Sequence, residues 1–281
     1  MLAVVVGAAL FCGYLTLCGL FYQGQWQFVL HPDTATKAAP PASLPFEDVL
    51  FDYSETGQPQ LHGWWIPAAP APAGSMPSRY SSVTVLYLHG GSGSLADTLP
   101  RLQELHNAGL NVFAFDYRGF GQSAGPHPTE QRMREDAAAA WLYVTQKRSM
   151  PETQIIPYGE GVGGALAVQL AMDHRRVPAL VLDQPVFDLA AQVKQDPRTH
   201  LIPVRLLLRE RFDITQPLAT LQTPKLLLLG DVLESSTPAA LDAVADPKFT
   251  IHTGFSSAAA RTQSLSRFLD EYLPASTVLP Q

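Results

Sequence analysis

The sequence predicts an α/β fold: a mostly parallel central sheet flanked by helices, with a small cap insertion and an N-terminal transmembrane helix in front. Three observations carry this expectation. Short β-rich apolar runs alternate with helical patterns between about residues 83 and 252, as βαβ crossovers require. Those runs are continuously apolar, which fits strands covered on both faces. The stretch 1–22 carries no charged side chain.

That opening stretch, MLAVVVGAALFCGYLTLCGLFY, is long enough as a helix, at ~1.5 Å per residue, to cross a ~30 Å hydrocarbon core. Tyr22 and Trp26 stand where interfacial aromatics are expected. A cleaved signal peptide would carry a basic leading region and a small-x-small site. No Lys or Arg occurs before Lys37, and the stretch ends in Leu-Phe-Tyr. A lipoprotein signal at Cys18 would follow Leu17, a poor residue for that processing site. An uncleaved single-pass anchor over 1–22 is therefore expected, with the membrane as its partner. Both cysteines, Cys12 and Cys18, lie inside it, so cysteine usage is silent on the redox compartment of the domain.

Residues 23–45, with TATKAAPPASLP, are expected to be a linker, and 46–273 the folded domain. Phe46, Val49, Phe51 and Tyr53 read as a strand, and LHGWWIP as its return after Glu55-Thr56-Gly57. Then VTVLYLH (83–89), NVFAFDY (111–117), TQIIPYG (153–159), ALVLD (179–183), KLLLLG (225–230) and KFTIH (248–252) read as strands. Between them lie helical patterns: SLADTLPRLQELHNAG, a segment from Thr129 to about Lys147, and GVGGALAVQLAMDH. The segment 186–224 interrupts the alternation and reads as a cap insertion, with VRLLLRERF helical within it. A last amphipathic helix puts Leu265, Phe268, Leu269 and Tyr272 on one face, and 274–281 form a tail.

The composition is 46% hydrophobic and 16% charged, with a net charge of -6. A mildly acidic chain without a Lys/Arg run has no electrostatic footprint for nucleic acid. The eight histidines show neither HExxH nor tight ligand spacing, so no metal and no cofactor is expected. Nothing in the sequence names a protein partner.

Three motifs then carry a family resemblance. LYLHGGSGS resembles the strand and oxyanion loop of α/β-hydrolases. FDYRGFGQSAGPHPTE resembles the same family's membrane-anchored BEM46-like peptidase/esterase branch, and YGEGVGGALA its nucleophile elbow. Weaker likeness runs through RFDITQPLATLQTPKLLLLGD to the last helix, over residues 46–273. The resemblance implies an α/β-hydrolase fold acting on esters, thioesters or peptides through a Ser-acid-His triad.

The expected triad is degenerate. The elbow Gly-x-Ser-x-Gly places its serine on a sharp strained turn above the sheet. Here the turn reads Gly159-Glu160-Gly161-Val162-Gly163, so Gly161 holds the nucleophile position. Glycine accepts the strained backbone better than serine does, so the turn is expected to survive. For the acid, the resemblance implies Gly-x-x-Asp-x-x-x-Pro, but Gly230 to Pro238 is one residue longer. Counting back from Pro238 gives Glu234, counting forward from Gly230 gives Leu233, and Asp231 stands near as well. The histidine position falls on Ser257, with His252 as the nearby alternative. Amides around Gly90, Gly91 and Ser92, and at Val162, still form the expected oxyanion and ligand-binding corner. Val162 also opens a helix, whose N-terminus favours anions.

Several of these residues have plainer readings. Ser92 and Ser94 read first as turn and N-cap residues. Asp116 and Arg118 read as a structural turn network, and Gly163 and Gly164 as close helix–sheet packing. Two functions follow from the sequence. One is a membrane-anchored pseudohydrolase that binds a small acyl or carboxylate ligand or serves as a scaffold. The other is a working hydrolase that uses Ser92, or water activated by His252 or Glu234.

Overall fold

The computed structural model describes residues 1–35, 39–53, 56–70, 78–230, 237–252 and 258–273. Helix α1 (Leu2–Gly24) leads into a 3-10 turn at Gln25–Phe28 and the short strand β1 (His31–Pro32). The domain then runs β2 (Glu47–Tyr53), β3 (Pro59–Ile66), β4 (Thr84–Leu88), β5 (Ser92–Gly93), α2 (Leu99–Asn107), β6 (Asn111–Phe115), α3 (Glu130–Leu142) and β7 (Ile155–Glu160). It continues with α4 (Gly163–Asp173), β8 (Leu180–Asp183), α5 (Leu189–Gln195), α6 (Val204–Leu207) and α7 (Thr215–Leu218). Strand β9 (Lys225–Leu229), α8 (Thr237–Ala243), β10 (Lys248–His252) and α9 (Ala258–Tyr272) complete it.

Eight strands form one sheet in the order β10-β9-β8-β7-β4-β6-β3-β2. Strand β3 is antiparallel to both neighbours, β2 and β6, and the other pairs are parallel. The strands at the centre are buried along their length because helices cover both faces. Helices α3 and α4 pack on one face, where Met133, Ala140, Leu166 and Ala167 join the core. Helices α2 and α9 pack on the other, through Leu102, Leu105, Leu265, Phe268 and Leu269. Tyr272 packs partly buried beside them, so the amphipathic face expected of the last helix is the buried one.

Two sequence expectations change. Part of the expected linker is folded onto the domain: Val29 and Leu30 are buried, and β1 pairs in parallel with β5. Its Pro/Ala-rich composition concealed this, because two apolar residues and two backbone bonds suffice when a partner surface is ready. In the cap, VRLLLRERF makes a single helical turn, α6, not a helix. Beyond Leu207 the backbone extends at Leu208 and Phe212 takes φ +45°. That path buries both Leu208 and Phe212, which a continuous helix would not do. The predicted helix from Thr129 is α3, N-capped by Thr129 accepting from Arg132 N (3.3 Å) and prolonged by a π turn at Tyr143–Lys147.

The β7–α4 turn sets the tightest packing relevant to function. A β-carbon on Gly163 would lie 2.2 Å from Leu88 O, and one on Gly159 would lie 2.5 Å from Gly163 O. At Gly161 the nearest atom would be Gly90 Cα at 3.8 Å, although its φ is +53°. We therefore expect Gly163→Ala to cost more than about 3 kcal/mol by overpacking against backbone. Gly161→Ala should cost only about 1–2 kcal/mol, for the left-handed conformation. Thermal unfolding of the two variants side by side checks this, and equal losses would contradict it.

Candidate functional site

The site is built where β7 ends and α4 begins. Gly161 retains the left-handed bend, its N–H donating to Asp183 O at 2.9 Å. Gly164 N then donates to Gly161 O (3.1 Å), turning the chain into α4. The result is an elbow in the expected place with no side chain at its tip. Gly163 fits the packing role expected of it, and Gly164 shares it through its backbone, whose Cα would lie 2.5 Å from a β-carbon on Gly159, although a β-carbon on Gly164 itself would make only ordinary contacts of 3.5 Å or more.

The loop after β4 abuts this bend. A β-carbon on Gly91 would lie 3.1 Å from Val162 Cγ2 and 2.9 Å from Val29 O. Among the described residues, neither the Gly91 amide nor the Val162 amide donates to a protein acceptor. Gly90, Gly91 and Gly161 are partly exposed and Val162 is buried, and the two unpaired amides stand on adjoining segments at this bend. The loop after β4 is held by the N-terminal segment: His31 N donates to Gly91 O (2.7 Å) and Asp33 N to Gly93 O (2.8 Å).

Ser92 is exposed and sits in the β1–β5 bridge opposite His31. Ser94 is buried and closes a capping box, its N–H donating to Asp97 Oδ2 at 2.8 Å. His252 is exposed at the end of the edge strand β10, three strands from β7, or about 14 Å at the usual strand spacing. Asp231, Glu234 and Ser257 lie outside the described residues.

Asp116 and Arg118 do not pair with each other. Asp116 accepts from the amides of Leu95 (2.7 Å) and Gln122 (3.2 Å), tying the loop after β6 to the start of the helical region behind the oxyanion loop. Arg118 clamps Asp136 of α3 through its backbone N (2.8 Å) and Nε (2.5 Å), and reaches Glu135 at 2.7 Å. FDYRG is thus a turn network that ties the loop after β6 to Leu95 and to α3.

One cluster escaped the sequence reading. On the α2/α9 face, Tyr87 donates to Glu160 and stacks on Tyr158 at 5.1 Å. Tyr158 Oη donates to Asp183 Oδ2 (2.6 Å), which also takes Arg101 at 2.8 Å. Arg101 and Arg261 both meet Glu104, at 2.5 and 2.6 Å. Burial holds both phenols well above the usual range, and pushes the Asp183 carboxyl up against the pull of Arg101. The alternation of side chains along β7 puts Tyr158 and Glu160 on one face, but only the strand register adds Tyr87 and Asp183. The cluster anchors β7 from below and leaves Glu160 turned away from the elbow tip.

A separate cleft of about 530 Å³ opens between the cap and α8, lined by Phe187, Leu189, Arg205, Leu208, Arg211 and Ala240 among others. Its described lining includes none of Gly90, Gly91, Gly161 or Val162.

The sheet order and the tight turn between β7 and α4 are those of an α/β-hydrolase fold. Residues 81–261 match the family described as "Serine aminopeptidase, S33", and the chain belongs to that family, in its BEM46-like branch. It is similar to an uncharacterized protein of Mycobacterium tuberculosis, 32% identical over 196 residues, 67% of this chain and 64% of that protein. It is also 35% identical over 108 residues to the protein bem46 of Schizosaccharomyces pombe, covering 38% of this chain and 36% of that protein. The chain thus spans less than two thirds of the length of these relatives. Among solved structures, an esterase of Pyrococcus furiosus superposes with a TM-score of 0.65 at 19% identity, covering 88% of this chain and 98% of the other.

The turn network generates a pH prediction. Burial pushes Asp136 up to about 6, against its bonds with Arg118. A carboxyl raised above its unfolded value favours the folded state most when protonated. Its contribution is full below about pH 4 and is lost as pH rises through about 6, by about 3 kcal/mol in all. The Tm advantage of wild type over Asp136→Asn should therefore shrink from pH 4 to pH 7. A gap that is constant or widening would contradict the assignment.

Proposed function

We propose that this chain is a membrane-anchored pseudohydrolase whose oxyanion corner binds the carbonyl or carboxylate of an acyl ligand without turning it over. The observation that carries the reading is the elbow tip: position 161 keeps the bend of a nucleophile and lacks any oxygen or sulfur to attack with. Removing the nucleophile from such a unit costs on the order of 10⁶ in rate, about 8 kcal/mol of barrier. The free amides of Gly91 and Val162 support the binding half of the proposal, since such donors stabilise an oxyanion or carboxylate independently of the triad. The uncharged helix α1 supports the anchor. The competing reading, a hydrolase built on Ser92 or on water activated by His252 or Glu234, draws less support at Ser92, which sits exposed in the β1–β5 strand bridge.

Two experiments test this. A fluorophosphonate probe should leave the wild-type full chain unlabelled, and robust labelling of wild type would end the proposal. Decanoate added to the ¹⁵N-labelled protein should shift the Gly91 and Val162 amide resonances. An unchanged pair at saturating decanoate would remove the ligand-binding half.

A further inference from the structure

We propose that the cap face carrying Leu201 and Leu206 lies in the interfacial layer of the same bilayer that α1 crosses, so that the domain is seated on the membrane and not suspended from it. This rests on the reading of α1 as a retained anchor.

The first argument is depth. Helix α1 reaches Gly24, and the 3-10 turn Gln25–Phe28 follows at once, with no spacer between helix and domain. Phe21, one turn inside α1, is only 3% exposed and belongs to the same core as Val204 and Leu208 of the cap. Gln25 is buried too: its Nε2 donates to Leu207 O (3.4 Å), and its Oε1 accepts from Arg209 N (2.5 Å). Groups hydrogen-bonded to each other share a depth. A helix of this length, at ~1.5 Å per residue, puts Gly24 at the edge of a ~30 Å hydrocarbon core. Residues 207–209 therefore stand at the level of the headgroups.

The second argument is the surface found at that level. Leu201 and Leu206 are 75% and 79% exposed, the most exposed large apolar side chains downstream of α1 among the described residues. A groove of about 480 Å³ runs beside them, lined by Ala190, Ile202, Val204 and Leu206 with Lys194 and Arg205. Apolar side chains in this position leave water by entering the interface.

The third is charge. Residues 194–211 hold five Lys/Arg and two Asp/Glu, in a chain whose net charge is -6. Asp196 and Asp188 pair with Arg198 and Arg205 at 2.6 and 2.7 Å, and the segment retains its basic excess over its own acids. Arg198 lies over the Phe28 ring at 4.7 Å and Arg209 over the Tyr22 ring at 5.3 Å, joining the cap to the aromatic exit of α1. Basic and aromatic side chains around exposed leucines match a lipid headgroup layer.

The test uses the full chain in nanodiscs of phosphatidylcholine and phosphatidylglycerol, with Cys12→Ser and Cys18→Ser to clear the background. Single spin labels are placed by Leu201→Cys, Leu206→Cys, Leu10→Cys and Ser82→Cys. Ser82 is exposed just before β4, at the end of the sheet away from Gly91. The readout is the ratio of collisions with oxygen to collisions with a water-soluble nickel chelate. Labels at 201 and 206 should show a ratio several-fold above that at 82, approaching that at 10. A lipid-exposed label at 10 with water-exposed labels at 201 and 206 overturns this proposal alone. A water-exposed label at 10 overturns the anchor reading, and the proposal with it.

Discussion

The approach of α4 to the sheet governs the rest of the molecule's functional end. Gly159 and Gly163 let backbone meet backbone where β7 turns into α4, closer than any β-carbon allows. That closeness forces the left-handed bend at Gly161 and points the first turn of α4 at the loop after β4. The bend is tied to β8 by the Gly161–Asp183 backbone bond, and the strand below it by the tyrosine–carboxylate cluster. The Gly91 and Val162 amides owe their placement to these contacts.

Architecture and reactivity are consequently separable in this fold. A side chain at position 161 packs against almost nothing, so its removal leaves no cavity in the core and relieves a conformation that non-glycine residues adopt at some cost. The oxyanion loop is held by other groups: His31 and Asp33 on one side, Asp97 at its helical end, and Asp116 beneath. None of these depends on a triad. A hydrolase scaffold can lose its attacking atom and keep its donors because the two are stabilised by different residues.

The segment after α1 joins this same arrangement. Val29 and Leu30 bury themselves against the loop after β4, while Gln25 serves four backbone partners: it donates to the carbonyls of Tyr22 and Leu207 and accepts from the amides of Arg209 and Glu210. The segment after α1 is thus a structural element that links that helix, the cap and the loop after β4. Trp26 adds to it by stacking on His127 at 5.0 Å.

Much of this was legible in the sequence, because it depends on local pattern. Continuous apolar runs marked the central strands, Thr129 marked the start of α3, and the glycine spacing at 159–163 located the tight turn between β7 and α4. Those features follow from backbone geometry that each residue carries with it. The tertiary structure alone decided the rest: Val29 and Leu30 as a wedge, Leu208 and Phe212 buried along an extended cap, and Tyr87 beside Glu160. Each depends on a partner distant in sequence, and a burial or a hydrogen bond between elements leaves no periodic trace in either one.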